Sequence, residues 1–149
     1  MPNNADKYLR DIAGLAAWGE LTEDLREKVA RLVLTIGAPR KAAAGDTWIR
    51  EGERSENKGY VLLRGTVAII REEHPKAQCE EPALLGEMMQ FNPQEHRLAT
   101  VTALTKCTVL RFSWDDFWNA AQEEFDDFEN ATLKKLVEQY AWGRFMNWD

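Results

Sequence analysis

Residues 84–101 read Leu84-Leu85-Gly86-Glu87-Met88-Met89-Gln90-Phe91-Asn92-Pro93-Gln94-Glu95-His96-Arg97-Leu98-Ala99-Thr100-Val101. An apolar run ends at Gly86, Asn92-Pro93 interrupts any helix that starts after the glycine, and Arg97 leads back into a β-prone run. The pattern predicts a strand end, a single helical turn and a returning strand. A helix that begins just after a glycine leaves backbone N–H groups unpaired at its positive end, which suits an anion. Arg97 can add a bidentate fork to two phosphate oxygens. Glu87 is acceptor-only when ionised, so it repels phosphate and accepts from a sugar hydroxyl. One acceptor, one cation and a row of amides describe a site for a small sugar phosphate of low charge. Without a ligand, Glu87 and Arg97 reduce to a surface ion pair contributing about 0–1 kcal/mol.

Outward from this stretch, Gly45, Gly52, Gly59, Gly65 and Gly86 punctuate short β-prone runs at turn spacing, as in an all-β roll or barrel. The runs are 47–50, 60–63, 66–71, 99–103 and 108–112, with Arg64-Gly65 as a tight turn. Residues 71–82 are polar and interrupted by proline, and are expected to form an exposed, solvated hairpin excursion. Upstream, Leu25, Val29, Leu32, Val33 and Ile36 make a helical stripe, with Thr22 as N-cap, Glu23 and Asp24 in the first turn, and Gly37 and Pro39 as stops. A shorter helix is expected over 7–15. Downstream, Ser113 is placed to cap a helix from Trp114, and a last helix is expected from about Asn130. That last helix carries one stripe of Leu133, Leu136, Val137 and Tyr140, and a second of Trp142, Phe145 and Met146. Two apolar faces imply two contacts: the roll, and a ligand, a partner chain or another segment.

The stretch resembles the phosphate-binding cassette of the cyclic nucleotide-binding domain family, found in catabolite activators, kinase regulatory subunits and gated channels. Gly86-Glu87-Met88 matches the cassette's Gly-Glu-Leu start, and Arg97 stands at a spacing that the family uses. Gly45-Asp46 and Glu51-Gly52 are similar to the family's early turns, 60–67 to its aromatic strand and glycine turn, and 99–110 to its penultimate strands. The resemblance covers about residues 20 to 140 and implies a mainly β fold with flanking helices, a double-stranded, jelly-roll-like β-roll. It implies that Glu87 accepts the ribose 2′-hydroxyl and Arg97 pairs with the cyclic phosphate. Backbone amides near Gly86, Glu87, Met88, Leu98 and Ala99 would complete the cradle. The last helix would close over the base with Trp142 against it, although a helix-borne tryptophan also serves as core or interface. Leu98 stands where the family often has a small or hydroxylated residue, which implies cAMP over cGMP. Met89 and Gln90 depart from the usual small residue and Leu, and no Thr-Ser pair lies near Trp142. These departures carry the alternative: a degenerate member that binds no nucleotide and serves as a protein-interaction module.

Composition narrows the function classes. The 149 residues suit one domain, organised as helices over 1–38, a β-roll over 39–113 with its cassette at 84–101, and helices over 114–149. A formal net charge of −6 lacks the basic footprint of a nucleic-acid or membrane-surface binder. No apolar run reaches bilayer length and the start carries no secretory pattern, so the expected location is cytoplasmic. Cys79 and Cys107 are too few for a disulfide framework, and isolated His74 and His96 supply no metal site. No nucleophile–base pair stands out, so no catalytic residue and no cofactor are expected. The residues after Asp116 are too few for a helix-turn-helix module. Output is therefore expected through an unidentified protein partner, or self-association, at the last helix.

Overall fold

A computed structural model describes residues 4–19, 21–54, 56–86 and 96–146, with backbone alone for 4–6 and 142–146. Helix α1 (Asn4–Ala13) begins earlier than the expected 7–15 and is followed by a 3₁₀ turn, Ala16–Trp18. The turn holds because Trp18 is fully buried and its indole Nε1 donates to the Ile12 carbonyl at 2.6 Å. Helix α2 (Glu23–Ile36) starts at Thr22, whose hydroxyl accepts from the Leu25 N–H at 3.3 Å. Eight strands follow among the described residues: β1 (Ala38–Ala42), β2 (Thr47–Ile49), β3 (Lys58–Arg64), β4 (Thr66–Arg71), β5 (His74–Glu80), β6 (Ala83–Leu85), β7 (Thr100–Ala103) and β8 (Cys107–Ser113). Helices α3 (Trp114–Glu124) and α4 (Asp127–Met146) are the last elements among the described residues.

The strands form two antiparallel four-stranded sheets, ordered β1-β8-β3-β6 and β2-β7-β4-β5. This is the double-stranded β-roll with flanking helices that the sequence led us to expect. Side-chain alternation along the strands builds two cores. From the first sheet, Leu62, Ala83, Leu85, Cys107 and Val109 turn inward to meet Ile49, Val67, Ile69, Ala99 and Val101 of the second sheet side. The opposite face of the first sheet, with Val61, Leu63, Leu84, Leu110 and Phe112, packs under the helices. Burial on both faces explains why 61–63 read as an unbroken apolar run.

Three expectations change. Pro39 does not merely stop α2; it lies in β1, an edge strand opposite Leu110, where a residue without an N–H is tolerated. Residues 71–82 do form an exposed hairpin, but its return is strand β5 and not a loop: β5 pairs with β4 from Thr66↔Glu80 to Arg71↔His74. As an edge strand with mostly solvent-facing side chains, β5 lacks the apolar alternation that marks a half-buried strand. Helix α4 starts at Asp127 because Asp126 and Glu129 form a reciprocal cap: the Glu129 N–H donates to Asp126 Oδ1 at 2.7 Å, and the Asp126 N–H to Glu129 Oε1 at 3.0 Å.

The helices bind the roll through aromatic and charged contacts. Ser113 caps α3 as expected, accepting from the Asp116 N–H at 3.3 Å. Leu133, Val137 and Ala141 bury one face of α4, with Leu136 and Tyr140 half-buried beside them. Tyr8 of α1 lies under Arg64, whose Cζ is 5.9 Å from the ring centroid. The hydrogen bond to the Tyr8 hydroxyl raises the Arg64 pKa above its ordinary value. Phe128, 81% exposed at the start of α4, is the largest apolar surface left uncovered among the described residues.

Candidate functional site

Arg97 is the sole buried charged or polar residue in the described core, at 6% exposure. A guanidinium cannot deprotonate, so burying it requires acceptors. Its Nη2 donates to the carbonyl of Lys58, the first residue of β3, at 2.9 Å. The backbone on either side is equally tied down. The Arg97 N–H donates to the Glu53 carbonyl at 2.8 Å, and the Gly52 N–H donates to the Arg97 carbonyl at 2.9 Å. Arg97 is thus buried and fixed at main chain and head group, while Glu87, its expected partner in an ion pair, lies outside the described residues.

Gly86 meets this guanidinium from β6. Its φ of +78° is left-handed, and a Cβ added there would stand 2.8 Å from Arg97 Nη1 and 3.1 Å from the Lys58 carbonyl oxygen. Only glycine satisfies both the dihedral and the approach. The Gly86 carbonyl in turn accepts from Trp114 Nε1 at 3.2 Å, tying the residue after β6 to the first residue of α3. Trp114 is 1% exposed and sits edge-on to Phe112 and Phe117, with centroids at 4.8 and 5.5 Å. Gly59 lets this cluster close, since a Cβ there would fall 2.7 Å from Phe112 and 2.8 Å from Trp114.

Of the residues singled out in the sequence, the structure brings Gly86 and Arg97 into contact. Ala99 is buried in the inner core and Leu98 is half-buried beside Arg97 in the chain. Glu87 and Met88 lie outside the described residues, as do Met89, Gln90 and the expected helical turn. Trp142 is carried on the backbone of α4, and its side chain is likewise outside the described part, as are those of Phe145 and Met146. Three contributors escaped the sequence reading. The Lys58 carbonyl is main chain and carries no residue signal. Trp114 carries only a helix-start signal, directly after the Ser113 cap. The stacked pair of Trp48 and Tyr60, with centroids 6.5 Å apart against the inner core, gives no periodic signal because the strand bearing Trp48 is so short.

Among the described residues, no group of three His, Cys, Asp or Glu side chains is arranged to hold a metal ion. Nor is any helix among them long and apolar enough to cross a membrane.

The family model of the cyclic nucleotide-binding domain matches residues 39–124. The Pycsar effector protein XpPycTIR of Xanthomonas perforans is 24% identical over 116 residues, which are 78% of this chain and 38% of that protein. The sensor domain of the transcriptional regulator DNR from Pseudomonas aeruginosa has a TM-score of 0.67 at 20% identity, over 91% of both chains. The regulatory domain of Toxoplasma gondii PKA, solved with cAMP, has a TM-score of 0.63 at 21% identity, over 78% of this chain and 44% of that one. The chain thus spans little more than a third of the curated relative and under half of the kinase regulatory domain.

Proposed function

Starting from the fact that the chain belongs to the cyclic nucleotide-binding domain family, we propose that it senses a cyclic nucleotide, cAMP in preference to cGMP, and signals through α4 to a protein partner or a second copy. The observation that carries this reading is Arg97: a permanently charged fork, 6% exposed, held by the Lys58 carbonyl beside a left-handed glycine. A cyclic phosphate presents two acceptor oxygens to such a fork, and charge-assisted bonds of this kind are about twice as strong as neutral ones. In this reading Glu87 accepts from the ribose 2′-hydroxyl, and the N–H groups around Met88, Leu98 and Ala99 complete the cradle. Trp142 covers the base. Leu98 offers no hydroxyl to a guanine, which supports adenine.

The protein performs no chemistry on the ligand and needs no cofactor. Binding shifts a pre-existing equilibrium of the helices, by no more than the ligand's differential affinity for the two states. The link from Gly86 to Trp114 supplies a route, because any displacement of Gly86 pulls on the start of α3. The similarity to a protein named as an effector supports an output of this kind, and a cytoplasmic setting fits it.

Thermal melting with cAMP, cGMP, the cyclic pyrimidine nucleotides and linear 5′-AMP tests the reading. A ligand at 100 times its Kd adds about 2.7 kcal/mol of stability, a rise of roughly 5–11 °C in a chain of this size. A shift with cAMP that exceeds the others and is absent with 5′-AMP is the expected result. No shift with any of them at millimolar concentration would overturn it in favour of a ligand-free interaction module.

A further inference from the structure

Trp48 is where the second sheet breaks its register. Thr47 is paired with Thr102, and Ile49 with Val101, so two steps along β2 match one step along β7 and Trp48 is the extra residue. Thr47 faces away from the roll with Thr102, their hydroxyls 2.9 Å apart, whereas Ile49 faces inward with Val101. A bulge re-aims the residue that it inserts. Here it sends the indole of Trp48 across to Tyr60 of the first sheet, the two rings 24° from parallel and both packed against the inner core. Tyr60 borders the cradle: it pairs with Leu85, the residue before Gly86, and stands two residues after Lys58, whose carbonyl holds Arg97. The indole Nε1 of Trp48 is sealed from solvent and meets no hydrogen-bond acceptor among the described residues.

An indole N–H is a donor only, and a buried donor without an acceptor is a cost that folded proteins rarely carry without reason. The other buried tryptophan N–H groups are satisfied, Trp18 by Ile12 and Trp114 by Gly86. Trp48 differs from them in lying against the roll interior, stacked on Tyr60. We propose that Trp48 is a specificity-determining residue: its N–H donates to an acceptor atom on the base of the bound nucleotide, and its ring, braced by Tyr60, forms the wall against which that base lies. The inference rests on the cyclic nucleotide reading above. It assigns base selection to a bulged strand of the roll, in addition to whatever α4 contributes from outside.

Trp48→Phe keeps an aromatic ring against Tyr60 and removes the donor. Affinities of wild type, Trp48→Phe and Arg97→Ala for each cyclic nucleotide, by calorimetry, together with melting of the free proteins, provide the test. For Trp48→Phe the expected result is a loss of about 5- to 10-fold for the preferred nucleotide, a smaller loss for the others, and a melting temperature in the free protein equal to or above wild type. Arg97→Ala should weaken all nucleotides alike. Equal losses for every base, wild-type affinity, or a marked fall in the melting temperature of free Trp48→Phe would each overturn the assignment and leave the nucleotide reading intact. A wild-type protein that binds no cyclic nucleotide would overturn both.

Discussion

Gly86→Ala tests the geometry of the cradle. Two costs are separable. At a φ of +78° an L-residue loses about 1–2 kcal/mol relative to glycine. The new Cβ would also stand 2.8 Å from Arg97 Nη1 and 3.1 Å from the Lys58 carbonyl oxygen. The carbonyl belongs to the hydrogen-bonded ladder of β3 and is slow to yield, so the guanidinium must move and lose its 2.9 Å bond. A hydrogen bond from a charged donor is worth about 1.5–3 kcal/mol, which brings the total to roughly 2.5–5 kcal/mol. At about 2–4 °C per kcal/mol the melting temperature should fall by roughly 5–20 °C. Gly52→Ala isolates the first cost: its φ is +85°, and an added Cβ meets nothing within 4 Å. Calorimetric melting of the two variants, followed by nucleotide titration, is the assay. Gly52→Ala should lose only the backbone part, while Gly86→Ala should also lose at least 10-fold in affinity. Equal melting temperatures for the two, with wild-type affinity in Gly86→Ala, would refute the claim that Gly86 is there to admit Arg97.

Three further outcomes are expected. Trp114→Phe removes the bond to the Gly86 carbonyl; it should cost about 1 kcal/mol for that bond, more with the lost ring volume, and amide exchange should quicken together at 83–86 and at the start of α3. Unchanged exchange at either end would break the proposed relay. Asp126→Ala removes one half of the reciprocal cap on α4 and should destabilise by about 0.5–2 kcal/mol, read as a drop of a few degrees with ligand affinity altered much less than by Arg97→Ala. Arg97→Ala should abolish nucleotide-induced stabilisation while the protein still melts cooperatively, and a variant that binds at wild-type strength would remove Arg97 from the site.

The parts of the fold that were readable in the sequence are those settled within a few residues. Thr22 and Ser113 cap their helices three residues on, and each bond is present. Gly65, at a φ of +104°, turns β3 into β4 where the Arg64-Gly65 pair marked a turn. The Asp126–Glu129 cap is equally local, but the apolar stripe of the last helix begins later, at Leu133, and that stripe sets the expected start near Asn130. Edge strands were less legible. Pro39 and the polar run from His74 to Glu80 carry no strand pattern of their own, and only pairing with β8 and β4 makes them strands.

For the site, the sequence by itself determined the residue types: a glycine able to adopt a left-handed φ and an arginine that stays charged wherever it is placed. Tertiary structure decided what those residues meet. Arg97 finds Lys58 across 39 positions of chain, and Trp114 finds Gly86 across 28. The register slip that turns Trp48 toward Tyr60 exists only in the pairing of β2 with β7. Caps and turns are short-range contacts that composition can announce. The acceptor of a buried cation and the aim of a bulged side chain depend on which strands the folded chain sets side by side, and no local pattern encodes that.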